Sequence, residues 1–168
     1  MIVELIAIPS LRMKKVSYYS VKLEGKLCSE FKDFENRMSN AKDSVELSEI
    51  KYYLNNIGNI LGANDKQFRD EDSAEALPPP YHKFIETDEI NNYGLRLYCI
   101  RLSPSIVVLL NGARKTALKS RLCDNCRPHF DKANSISKKI TEAILEKNIE
   151  IDEENKKLKI EDDFELII

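Results

Sequence analysis

Residues Ile106 to Leu110 read IVVLL, an extended run apolar on both sides, which suits a central strand covered on both faces of a sheet. A short Ser-Pro turn joins it to the preceding strand. Together they make Tyr93 to Thr116, YGLRLYCIRLSPSIVVLLNGARKT, the most specific stretch of the chain. Side chains alternate across a pleated strand, so Arg96 and Tyr98 share one face and Leu95, Leu97 and Cys99 the other. One face can pack while the other meets a ligand. Arg114 and Lys115 leave the end of the second strand, where loops present functional groups on a rigid sheet.

The remaining elements follow from periodicity. Ile2–Ile8 and Val16–Leu23 are rich in β-branched and aromatic residues and read as strands. Leu27, Phe31, Phe34 and Met38 recur at helical spacing. A second helix carries Leu47, Ile50, Leu54, Ile57 and Leu61, with Asp43 and Ser44 as cap types before it and Gly62 as its stop. Ala63–Pro80 ends in three prolines and reads as an exposed spacer leading into a strand over Tyr81–Glu86. That strand and the two at Tyr93–Leu110 make a meander. Phe130, Ala133, Ile136, Ile140 and Ile144 mark a third helix that can cover the sheet. Ile149, Ile151, Leu158 and Ile160 flank a polar turn and predict a β-hairpin, with Phe164–Ile168 as a terminal apolar segment.

A chain of 168 residues holds one domain with an appendage: a core over residues 1–147 and a hairpin extension over 148–168. No apolar run approaches the roughly 20 residues of a membrane span, and the start, MIVELIAIPS, lacks the basic region of a signal peptide, so a cytoplasmic protein is expected. The net charge of −2 conceals an uneven distribution: residues 81–140 hold eleven Lys and Arg against five Asp and Glu, and residues 141–168 four against ten. A basic middle gathers phosphate-bearing ligands. The four cysteines do not form a disulfide framework. Cys123, Cys126 and His129 spell CxxCxxH, one zinc-type knuckle without a closely spaced second pair, so no metal is assigned and zinc stands as the alternative. Nucleotide-binding glycine motifs and the GxSxG and HExxH hydrolase motifs do not occur, and no cofactor is expected.

The order strand, two helices, three-stranded meander and closing helix resembles the RelE/ParE/HigB superfamily of type II toxins. The residues that carry the resemblance are Leu95-Arg96-Leu97-Tyr98, then Val108 to Thr116 (VLLNGARKT), and the helix containing Ala133-Asn134, within about Val16 to Leu145. What it implies is an α+β, RelE-like fold: a small antiparallel twisted sheet with two N-terminal helices packed on it, a C-terminal helix, and here an added C-terminal β-hairpin. It further implies a ribosome-dependent messenger-RNA endonuclease (mRNA interferase), or in the ParE branch a gyrase inhibitor, restrained by a cognate antitoxin protein.

By position in the motif, Arg96 and Lys115 are the expected catalytic residues, and His129 is added as a general acid or base because imidazole titrates near neutrality. Tyr98, Arg101, Arg114, Lys119 and Arg121 are the expected RNA contacts, with Tyr98 stacking on a base. Glu86 stands where nuclease members often place an arginine, and the terminal hairpin lies outside the minimal family pattern. Both favour the alternative, a binding module of the same fold without catalysis, holding a protein or nucleic-acid partner.

Overall fold

The computed structural model describes residues 1–82 and 91–168. The chain opens with two antiparallel strands, β1 (Ile2–Arg12) and β2 (Ser17–Leu23). Helix α1 (Glu30–Met38) starts where the Ser29 hydroxyl accepts from the Lys32 N–H, satisfying one free donor of the first turn. Leu27, expected in the apolar stripe, lies ahead of that cap and is fully exposed. Helix α2 (Ser44–Asn56) runs into one wider turn over Ile57–Leu61 and stops at Gly62, whose φ of 77° suits glycine.

Strands β3 (Arg69–Glu71) and β4 (Ala74–Leu77) form a hairpin, and β5 (Leu95–Ser103) and β6 (Ile106–Arg114) the central pair. Helix α3 (Arg127–Leu145) follows, with Pro128 in its first turn, where a missing N–H leaves no bond unmade. The chain ends with β7 (Ile149–Asp152), β8 (Lys157–Ile160) and β9 (Leu166–Ile167).

The fold is α+β: a mixed seven-stranded sheet in the order β3-β4-β5-β6-β2-β1-β9, three helices packed on it, and a separate β7–β8 hairpin. The expectation of a small antiparallel sheet is corrected. Strands β2 and β6 run parallel, because two helices and the meander lie between them and return the chain in the same direction. Strand β3 widens the sheet at one edge, and β1 followed by the edge strand β9 at the other.

Both faces are covered. Phe34 of α1 and Ile50 and Leu54 of α2 pack on Tyr18, Leu97, Val107 and Leu109. Ala133, Ile136 and Ile140 of α3 pack on Tyr98, Ile100, Val108 and Leu110. Each such aliphatic side chain contributes about 1.5–3 kcal/mol by leaving water, so the doubly apolar β6 is explained by two cores. The face of β5 carrying Arg96 and Tyr98, expected to be open to a ligand, lies under α3.

One irregularity in the centre governs the rest. Leu97 pairs with Gly112, but Cys99 pairs with Leu109, so Leu110 and Asn111 oppose Tyr98 alone in a β-bulge. The extra residue reverses the facing of everything after it. Leu110 and Ala113 therefore both join the α3-side core, three positions apart.

Part of the strand expected over Tyr81–Glu86 lies at residues 83–90, outside the described residues, and it is β4 that pairs with β5, Ala76 opposite Tyr98. Glu75 and the small alanines of β4 carry a weak strand signal, which is why Ala63–Pro80 reads as a spacer. Nor are the prolines fully exposed: Pro78 and Pro79 are buried, and Arg69 donates to their carbonyls at 2.8 and 3.2 Å. The last residues of the expected extension return to the core sheet. Leu166 is buried opposite Val3, and the Met1 ammonium donates to the Ile168 carbonyl at 3.0 Å. Among the described residues no helix is long and apolar enough to cross a membrane.

Candidate functional site

Arg96 and Lys115 come together at the end of the meander. The Lys115 N–H donates to the Gly94 carbonyl at 2.8 Å, and its own carbonyl accepts from the Tyr93 N–H at 2.9 Å, so the backbone fixes the lysine beside the start of β5. Arg96 lies opposite Ala113 and donates from Nη1 to the Tyr93 and Leu95 carbonyls at 2.8 and 3.0 Å. At 3% exposure it is a buried arginine. Burial, then the like charge of Arg69, lowers its pKa to about 10, with Glu71 opposing. Burial and then Arg96 hold the Lys115 ammonium below its ordinary value. The result is a half-buried group of three cations, Arg69, Arg96 and Lys115, facing the carboxylate of Glu71, which accepts from the Ser120 hydroxyl at 3.1 Å. Arg69 and Glu71 escape a sequence reading because only the pairing of β3 on β4 and β4 on β5 brings them to the motif.

The bulge decides which member of the basic pair takes part. Strict alternation through Val108 and Leu110 would carry Arg114 to the Arg96 face; the extra residue sends Lys115 there and turns Arg114 toward α2. Arg114 donates to Asp43 at 3.0 and 2.7 Å, to Asn92 at 2.8 Å, and to Glu46. It is a structural ion pair rather than a free RNA contact. Asp43, the expected helix cap, makes no cap bond because its carboxylate serves Arg114.

Other expected contacts are also engaged. Tyr98 is fully buried, its ring edge-on to Phe130 with centroids 6.2 Å apart, so α3 occupies the face a base would need. Arg101 makes two hydrogen bonds to Glu75, at 3.2 and 3.0 Å. Lys119 and Arg121 are exposed beside Leu118 and Leu122, which are 72% and 68% exposed, and this loop remains available to a partner.

His129 belongs to a different cluster. It faces Arg37, Lys132 and Asp33, whereas Lys115 is influenced, after burial, chiefly by Arg96, Glu71, Cys126 and Arg69. Around it, Asn111 donates to Glu30 at 3.3 Å and Asp33 at 2.9 Å, Arg37 donates to the Gly112 carbonyl at 2.7 Å, and Lys132 pairs with Glu30. This network ties α1 and α3 to β6 beyond Leu109, the last residue of β6 paired with β2. Burial, with Arg37 and Lys132 adding, lowers the imidazole pKa to about 4. His129 is therefore neutral at pH 7 and lies in a cluster separate from Arg96 and Lys115.

The shift has a sign. Between its ordinary 6.5 and about 4, the unfolded chain binds a proton that the folded chain does not, so stability falls as pH is lowered through that window. The loss from this group is on the order of 3 kcal/mol. A His129→Gln variant should lack that part of the decline when urea unfolding is compared at both ends of the window.

Cys123 and Cys126 bracket the turn into α3, with their thiols directed at the Arg114 and Ala113 carbonyls at 3.9 and 3.7 Å. Burial raises the Cys123 pKa, but hydrogen bonds from the Thr116 hydroxyl and N–H outweigh it and bring it down to about 7. Burial, then the neighbouring Cys123, pushes Cys126 up to about 12. Both are free thiols that pin the loop to the end of β6. Among the described residues no group of three His, Cys, Asp or Glu is arranged to hold a metal ion.

The fold and the clustered charges define an α+β protein with a half-buried cationic group at one end of its sheet. Comparison with family models, with curated proteins and with solved structures gives no match for this chain.

Proposed function

We propose that this chain is a RelE-like toxin of a type II toxin–antitoxin system, a ribosome-dependent messenger-RNA endonuclease whose Lys115 meets the scissile phosphate. The observation that carries the reading is the convergence of Arg69, Arg96 and Lys115 beside Glu71. The element order supports it: strand β2, helices α1 and α2, the meander β4-β5-β6 and helix α3 follow the order that the resemblance implies. In the proposed step the 2′-oxygen forms a bond to phosphorus and loses its proton, while the bond to the 5′-oxygen breaks and that oxygen gains one. Charge on the phosphoryl oxygens rises, and fixed cations in a partly dry site stabilise it. Lys115, half-buried and with a lowered pKa, gives up a proton more readily than an ordinary lysine. Arg96 acts from beneath as a positioning residue whose charge tunes Lys115.

A second reading, a non-catalytic module of the same fold, is favoured by the burial of Arg96 and Tyr98 and by the ion pairs that occupy Arg101 and Arg114. Inducible expression in a bacterial host separates the readings. Wild type should arrest growth and create new messenger-RNA ends, and Lys115→Met, checked for native circular dichroism, should lower cleavage by about 100-fold or more. Arrest without new ends points to gyrase. A wild type that accumulates without arrest favours the binding module, and an antitoxin is expected to relieve any arrest on co-expression.

A further inference from the structure

The acidic end of the sequence hides a basic surface. The end of β1 and the turn after it carry Arg12, Lys14 and Lys15, and the hairpin β7–β8 brings Lys156 and Lys157 against them. The two tips are locked together. Lys156 Nζ donates to the Met13 and Lys14 carbonyls at 3.0 and 2.7 Å, Arg12 Nη2 approaches the Asn155 carbonyl at 3.4 Å, and the Leu158 N–H donates to the Tyr19 hydroxyl at 2.9 Å. The register of β1 slips between Ala7 and Arg12, and there a cleft of about 210 Å³ opens, lined by Pro9, Arg12, Tyr19, Lys156 and Lys157.

Among the described residues, none of these five cations has a carboxylate within ion-pair distance, whereas Arg37, Arg101, Arg114, Lys132 and Lys139 all do. The acids of the β7–β8 tip are turned elsewhere. Asp152 accepts from Asn155 and pairs with Lys159, and Glu153, exposed like Glu154, accepts from the Ser105 hydroxyl. Arg12, Lys14, Lys15 and Lys157 are exposed, and Lys156 is the half-buried residue that holds the two tips together.

We propose that the joined tips of the β1–β2 and β7–β8 hairpins form a binding surface for the phosphate backbone of RNA, distinct from the Lys115 group. Unpaired cations on two rigid hairpins around a cleft match a chain of phosphates, and their counterions leave when the phosphates bind. The identity of the ligand rests on the proposed action on RNA; the convergence of charge does not. The terminal hairpin thereby acquires a role, completing a cationic surface that the β1–β2 turn begins.

The test is fluorescence anisotropy of labelled oligouridylate with the full chain over a series of salt concentrations. A Lys14→Gln, Lys15→Gln, Lys157→Gln variant, which leaves Lys156 and its contacts intact, should bind at least about 10-fold more weakly at low salt. Its slope of log affinity against log salt should be shallower by about 2, at about 0.7 for each lost phosphate contact on a single strand. A Lys26→Gln, Lys66→Gln, Lys138→Gln control removes the same charge elsewhere and should keep the wild-type slope. An unchanged slope in the first variant, or an equal loss in the control, overturns the inference. Wild type that binds no oligouridylate overturns it too, whatever the growth assay shows. If wild type binds through these lysines yet makes no new messenger-RNA ends, the surface stands and the endonuclease reading fails.

Discussion

Replacing Gly112 with alanine is expected to remove about 3 kcal/mol or more of stability, a large share of the roughly 5–15 kcal/mol of a typical domain. A Cβ at this position would lie 1.8 Å from the Arg96 carbonyl oxygen and 2.8 Å from its carbon, both backbone atoms that a rotamer change cannot move. The glycine lets β5 approach β6 at the bulge, and its own carbonyl receives Arg37. Thermal and urea unfolding of Gly112→Ala should show the loss. Gly25→Ala is the control: nothing lies within 4 Å of its Cβ, and only its φ of +76° disfavours a side chain, so it should lose about 1 kcal/mol. Equal losses in the two variants would refute the close approach as the reason for Gly112.

Arg114→Met should cost roughly 2–4 kcal/mol, because it leaves Asp43 and Glu46 largely buried without their counter-ion. Their side chains are 14% and 23% exposed. Burial raises the Asp43 pKa, but hydrogen bonds from Asn40 and Arg114 outweigh it and hold the carboxyl below its usual range. Stability from this pair is therefore complete above the unfolded carboxylate pKa and is lost as pH falls through the folded value. In Arg114→Met that acid-limb loss should shrink. Adding Asp43→Asn and Glu46→Gln should recover much of the stability, since the buried charges then vanish together. A cost below about 0.5 kcal/mol in the single variant would mean the pair behaves as an exposed one.

Much of the architecture was legible in periodicity. The apolar stripes at Phe31–Met38, Leu47–Leu54 and Ala133–Ile140 became α1, α2 and α3, and the doubly apolar Ile106–Leu110 became the strand with a core on each face. Arg96 and Lys115 were likewise legible as a basic motif and come together at the end of the meander. Less visible were β3 and β4, whose short, charged and small-residue segments carry no strong period, and with them Arg69 and Glu71. His129 read as a member of the site because it lies near the basic loop in sequence and imidazole titrates near neutrality. The helical turn instead carries it to the Asp33–Arg37–Lys132 network, where burial strips its ordinary acid–base character.

The sequence by itself determined the three helices and the strands β1, β2, β5 and β6, that β6 is central, and which residue types could meet a phosphate, because these depend on local pattern and side-chain chemistry. Tertiary structure alone decided which of those groups are free to act. A single extra residue at the β6 bulge sends Lys115 toward Arg96 and Arg114 into an ion pair, and α3 closes over the tyrosine that would have stacked on a base. The docking of two hairpins remote in sequence gathers five cations into one surface of a chain whose end reads as acidic. Charge depends on composition, but where it is concentrated and whether it is neutralised depend on contacts between distant segments, and those exist only in the folded chain.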